Sequence, residues 1–342
     1  MVEQMRQGQD AATALRPLLT GYWLSQALLV AAELGVADRL ADGPLSCGVL
    51  AQQVGADEDA LYRVLRALAG AGVFTESAPR TFALTALAEP LRTDHPRSVR
   101  PLARLFRQEW LWRPWGQLLE AVQTGSAVFQ KIHGAPFFAY LGEHPDAAAV
   151  FDAAMTAGAP AGRSALAEAY DFAPLRTVVD IGGGEGALLA ALLRSHPHLQ
   201  GILFDQPAVV AGASAHLQAA GVAERCQIVG GDFFAAVPEG GDAYVLSQIL
   251  HDWDDARATV ILKNCHRAGH PGARVIAVER VLPPGDAPHP GKLTDLNMLV
   301  LLAGRERTEA EYRALFAAAG FELTRSVPLP EGGWSAVEGI RA

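Results

Sequence analysis

The chain has 342 residues, half of them hydrophobic, which excludes a disordered or fibrous protein and is long enough for two folded domains. A formal net charge of −9 excludes a general nucleic-acid binder, because neutralising phosphates requires clustered Lys and Arg. The three cysteines, Cys47, Cys226 and Cys265, form no CxxC pair and point to a reducing cytoplasm, and neither a signal peptide nor a membrane span is read from the apolar runs.

The first hundred residues read as helices punctuated by Gly and Pro. Ser46 is placed to cap a short helix ending at Gly55. Asp57 is placed to cap a longer one, over 57–69, whose Leu61, Val64, Leu65 and Leu68 share a face. Short strands over 73–75 and 81–84 follow around Pro79, so the order helix, turn, helix, hairpin predicts a winged helix. This segment holds nine Lys/Arg against eleven Asp/Glu, with Asp57, Glu58 and Asp59 in a row, which favours an interaction scaffold over a DNA reader. Residues 101–170 are helical again, and their Trp110, Trp112 and Trp115 are expected to serve packing.

From Thr177 the pattern changes to short apolar strands at 177–180, 201–204, 226–229, 243–247 and 273–278, separated by helix-length segments. That alternation predicts a parallel, doubly wound sheet. Two more strands, 322–327 and 334–340, flank a Pro/Gly-rich turn and predict an edge hairpin.

The first of these strands runs into VVDIGGGEG, residues 178–186, where glycines allow a sharp turn and a close approach to a nucleotide-like cofactor at a helix N-terminus. Gly182, Gly184 and Ala187 also satisfy the dinucleotide fingerprint, so an NAD-linked dehydrogenase stays open at this point. Asp205 ends the second strand and is placed for ribose hydroxyls, while Asp232 and Phe233 after the third are placed to read adenine. A simple capping role is the alternative for either carboxylate. His251 follows the fourth strand, at the edge where ligands bind, and can take a proton near neutral pH. His266 and His270 have the i, i+4 spacing of a metal pair but fall at a helix end before Pro271, so no catalytic metal is expected.

In order along the C-terminal half, VVDIGGGEG, GDFF, ILHDWDD, VERVLP and GRERTEAEY resemble the O-methyltransferase family. That family includes plant caffeic acid and flavonoid enzymes, hydroxyindole methyltransferase and bacterial antibiotic-tailoring enzymes. The likeness reaches upstream to 151–155 and 169–172 and, more loosely, to the winged helix. It implies an α/β Rossmann-like class I methyltransferase domain at 171–342 and an N-terminal all-helical winged-helix dimerisation domain at 1–100. Between them, a helical linker at 101–170 would contribute to the substrate pocket. It also implies a cytoplasmic homodimer with neither nucleic-acid nor membrane partner, which uses S-adenosyl-L-methionine without a metal and releases S-adenosyl-L-homocysteine.

Carried over residue by residue, the resemblance makes His251 the general base, flanked by Glu279 and Glu306. It implies cofactor contacts from Asp180, Gly182, Gly183, Gly184, Asp205, Gln206, Gly231, Asp232, Phe233, Phe234, Ser247 and Trp253. Ser247 stands where the plant enzymes carry a lysine, so Arg163 is expected to hold the cofactor carboxylate. Phe151, Met155, Asn297 and Met298 would line the acceptor. A phenol titrates at about 10 and needs a base at neutral pH, whereas a carboxylic acid does not, so the expected acceptor is a hydroxyl on a small aromatic metabolite. The competing readings are a cofactor-binding relative that hydroxylates or decarboxylates polyketides, the dehydrogenase, and a non-enzymatic winged-helix regulator.

Overall fold

A computed structural model describes residues 10–158, 160–330 and 332–341, with the side chains of 158–164 outside the described set. The chain divides into two compact units, one of Met1–Trp112 with Asp146–Gly158, the other of Arg113–Pro145 with Ala159–Ala342. The segment 101–170 is thus shared between them.

In the first unit the capping residues act as their chemistry dictates. Ser46 accepts from the amide of Val49 to start the helix Cys47–Val54, which Gly55 ends at φ +67°, and Asp57 accepts from Ala60 to start Glu58–Gly70. Leu61, Leu65 and Leu68 of that helix are buried with Leu50, Phe74 and Phe82 in one core. The expected hairpin is present as β2 (Phe74–Ala78) and β3 (Thr81–Leu84). With β1 (Leu45–Ser46) it makes a three-stranded antiparallel sheet, so the unit is helical apart from this wing. The acidic run at 57–59 meets a cation from the wing, since Arg80 pairs with Glu58 at 3.0 Å and Asp59 at 2.9 Å.

The second unit is built on an eight-stranded sheet of β4 (Thr177–Ile181), β5 (Gln200–Asp205), β6 (Cys226–Gly230), β7 (Ala243–Ser247), β8 (Arg274–Leu282), β9 (Arg307–Thr308), β10 (Phe321–Pro328) and β11 (Trp334–Arg341). The order is β10-β11-β8-β7-β4-β5-β6, with β9 beside the end of β8. Strands β6 to β8 along this path are parallel, whereas β11 runs antiparallel to both β8 and β10. The predicted edge hairpin therefore exists, with β10 at the edge and β11 inserted inside it. Successive residues of β4 feed opposite cores: Val178 packs with Leu189, Leu192 and Leu193, and Val179 with Tyr244, Ile261 and Phe316. The chain runs from β4 to β5 and β6 on one side and then crosses back to β7 on the other, and this reversal opens a crevice at the carboxyl ends of β4 and β7.

All three cysteines are free thiols. Among the described residues no helix is long and apolar enough to cross a membrane.

Candidate active site

The glycine loop after β4 is shaped for close approach. Gly182, Gly184 and Gly186 all have positive φ. A β-carbon on Gly182 would lie 2.4 Å from Ile249 Cδ1, and one on Gly183 would lie 2.6 Å from Oδ2 of the buried Asp180. Asp205, at the end of β5, accepts the amides of Gly184 at 2.8 Å and Gln206 at 2.7 Å. It is therefore tied to the glycine loop rather than capping the next helix, and burial pushes its carboxyl above the usual range. The backbone of Gly231 donates to Asp205 O at 2.9 Å. Asp232 is exposed and accepts from Phe234 N in a local turn.

Phe233, Phe234 and Trp253 form an edge-on aromatic cluster, with Trp253 also stacked at 5.9 Å on Phe138 and Arg257 lying over Trp253 at 4.5 Å. Sequence reasoning missed what holds this loop: buried Asn264 donates to the carbonyls of Phe233 at 2.7 Å and Phe234 at 3.0 Å.

Ser247 closes β7, and Gln248 then takes φ +59°, a conformation non-glycine residues rarely adopt, which turns the chain into the short 3-10 helix Leu250–Asp252. His251 is buried there, and Asp254 rather than a residue nearer His251 caps the following helix Asp255–Ala268. His251 Nδ1 lies 3.0 Å from Glu306 Oε1 and 3.6 Å from Glu279 Oε2, and Nε2 lies 3.4 Å from Asp252 Oδ1. Glu279, on β8, accepts the amides of Ile249 and Leu250 through Oε1. Among the described residues the other oxygens of Glu279 and Glu306 have no hydrogen-bond partner. Burial alone pushes His251 down, but Glu279, Asp252 and Glu306 reverse it and raise the imidazole to about 10. Burial raises Glu279 to about 7 and Asp252 to about 6.

The segment carrying Glu306 presses on the histidine turn. Arg305 N donates to His251 O at 2.8 Å, and a β-carbon on Gly304 would lie only 2.0 Å from that oxygen. Arg307, adjacent in sequence to Glu306, is fully buried and donates to Asp255 and to the carbonyls of Leu250, Trp253 and Arg305.

The remaining expected contacts fall as follows. Phe151 and Met155 lie on the helix Pro145–Gly158, mostly in the first unit, and Asn297 and Met298 lie on Gly291–Leu301 in the second. Met298 is buried, and Asn297 accepts a hydrogen bond from the indole of Trp115 at 3.0 Å. Trp112 and Trp115, expected to pack, are 46% and 37% exposed, because Leu111 and Pro114 take the inward positions of that turn. Arg163 falls in the helix Pro160–Ala169, and its side chain lies outside the described residues. Among the described residues the His/carboxylate group close enough to share a cation is His251, Glu279 and Glu306, within 4.8 Å, whereas His270 pairs with Asp242.

A family model of the O-methyltransferase domain matches residues 115–322, and one of the O-methyltransferase dimerisation domain matches 17–94. The chain is similar to a phenazine O-methyltransferase of Lysobacter antibioticus, at 48% identity over 97% of this chain and 97% of that protein. It is also similar to a 3-amino-4-hydroxybenzoate 4-O-methyltransferase of Streptomyces cremeus, at 40% identity over 95% of this chain and 90% of that protein. A crystal structure of an O-methyltransferase from neocarzinostatin biosynthesis, in complex with S-adenosylmethionine and 2-hydroxy-5-methyl naphthoic acid, matches at a TM-score of 0.82. That match has 34% identity and covers 98% of this chain and 100% of that one.

Proposed function

The chain belongs to the O-methyltransferase family and is an S-adenosylmethionine-dependent O-methyltransferase, and we propose that it methylates a hydroxyl of a small aromatic secondary metabolite with His251 as general base. The observation that carries this reading is a buried histidine held against two fully buried glutamates at the ligand edge of the sheet. The relatives support an aromatic acceptor: one is named for a phenazine, one for an aminohydroxybenzoate, and the solved complex holds a naphthoic acid. The match to the dimerisation domain supports a homodimer.

The residues present fit the cofactor. Each oxygen of Asp205 takes one backbone amide and keeps lone-pair capacity for ribose hydroxyls. Gly182 and Gly183 let the loop pack tightly on Ile249, Leu203 and Asp180, Gly184 faces open space, and Phe233 offers a ring face for adenine with Asp232 beside it. When bound, S-adenosylmethionine would supply a sulfonium-borne methyl group to the acceptor oxygen and would leave as S-adenosylhomocysteine.

The chain's own part is the proton. Glu306 keeps a hydrogen on Nδ1 of neutral His251, which leaves the Nε2 lone pair to accept the hydroxyl proton of the acceptor. Once Nε2 is protonated, Asp252 and Glu279 add negative charge beside the imidazolium. The same three carboxylates raise the imidazole against the effect of burial, so they favour the imidazolium that forms as the proton arrives.

The test measures S-adenosylhomocysteine release over a panel of phenolic acceptors, with calorimetric affinity for S-adenosylmethionine. His251→Ala should bind the cofactor within about threefold of wild type and lose about 10²- to 10⁴-fold in turnover. A mutant that turns over like wild type removes His251 from the mechanism.

A further inference from the structure

We propose that Arg307 is a positioning residue that sets the geometry of His251, an inference that rests on the reading of His251 as base. Arg307 is fully buried, a costly place for a guanidinium unless each donor meets an acceptor. Here they do. Nε donates to Asp255 Oδ1 at 2.9 Å, Nη1 to the carbonyls of Leu250 at 2.9 Å and Arg305 at 3.3 Å, and Nη2 to the carbonyl of Trp253 at 2.8 Å. Nη2 also lies 2.8 Å from Asp255 Oδ1.

Leu250 and Trp253 bracket His251 and Asp252, so one planar group fixes both ends of the turn that carries the imidazole. The preceding backbone completes the grip through the Arg305 amide on His251 O and the close approach of Gly304. Glu306 lies between Arg305 and Arg307. The segment that clamps the backbone of His251 therefore also delivers the carboxylate bonded to its Nδ1. Lysine cannot do this, because a point charge on a flexible stem spans neither two carbonyls nor the Asp255 carboxylate at once. The counter-charge enters from the surface: the Asp255 side chain is 60% exposed, so the clamp can be loosened without opening the core.

Arg307→Lys and Asp255→Ala in the full-length protein test this. Turnover should fall about 100-fold in the first and about tenfold in the second, a misplacement effect, with cofactor affinity by calorimetry unchanged within about threefold. The direct readout is the titration of His251 by nitrogen NMR in ¹⁵N-histidine-labelled protein, assigned by the signal missing from His251→Gln. Loosening the clamp lets the imidazole leave Glu306, so the midpoint should move to lower pH in both variants, further in Arg307→Lys. That titration reads the position of His251 whether or not it is the base, whereas His251→Ala turnover reads the base role alone. A wild-type titration in either folded variant overturns the proposal, as does a loss of cofactor binding in step with turnover. Should Arg307→Lys fail to fold, Asp255→Ala decides.

Discussion

At His251 three carboxylates outweigh the penalty of burial, and the sign of that balance governs how stability responds to pH. The folded imidazole is raised to about 10 from an ordinary value of about 6.5, so its stabilising contribution is complete below about 6.5 and is lost as pH rises through 10. Glu279, raised to about 7, acts in the same direction at lower pH, because ionising it is harder in the folded chain than in the unfolded one. Denaturant midpoints measured at pH 6.5 and 9 should therefore show wild type weakening with rising pH. His251→Gln should weaken distinctly less over the same interval. Equal losses would mean that the imidazole is not held by its neighbours as the geometry requires. His251 itself was legible in the sequence, since the strand before it and the capped helix after it are local patterns. Arg307 was not, because its bond to Leu250 joins residues 57 apart and no short motif records such a partner.

Among the elements, the loop after β6 shows how a polar group inside a helix shapes a binding surface. Asn264 sits on the buried face of Asp255–Ala268 and supplies both amide hydrogens to the carbonyls of Phe233 and Phe234. Asn264→Leu keeps the volume but leaves two carbonyls without their donor, so it should cost about 1–3 kcal/mol in denaturant unfolding. It should also weaken S-adenosylmethionine binding measured by calorimetry. Unfolding like wild type with unchanged affinity would show that the loop holds itself. The strands were read from alternating and continuous apolar runs, and β7 falls where its Ala-Tyr-Val-Leu-Ser run places it. Strand β8 runs four residues beyond the expected end at Val278, because Val281 and Leu282 pair with Arg307 and Thr308 of β9, a partner that hydrophobic pattern alone does not announce. In the same way, Asn297 was assigned to the acceptor from a motif, while its bond to Trp115 spans 182 residues.

For the whole molecule, the first unit carries apolar surface that a monomer has no reason to keep. The helix Ala11–Leu19 has no buried residue, and its Leu15, Leu18 and Leu19 are 56%, 58% and 75% exposed, with Tyr22 and Trp23 open just beyond. In a chain matching a dimerisation domain over 17–94, this is the surface expected to meet a second copy. Leu18→Glu with Leu19→Glu should convert a dimer to a monomer in light scattering after size exclusion, and a dimer that persists would place the contact elsewhere. At the other end of the chain, β11 lies between β8 and β10 although it follows both in sequence, and Ser335 sits in register with Glu279. On a ribosome, β8 keeps an open edge and β10 has no strand to pair with until residues 334–341 have emerged. A nascent chain stalled before Trp334 would already hold His251, Glu279 and Glu306 but not the sheet that encloses Glu279. The candidate site is thus enclosed only after β11 has joined the sheet, and until then the unpaired edges of β8 and β10 stay open to non-native pairing.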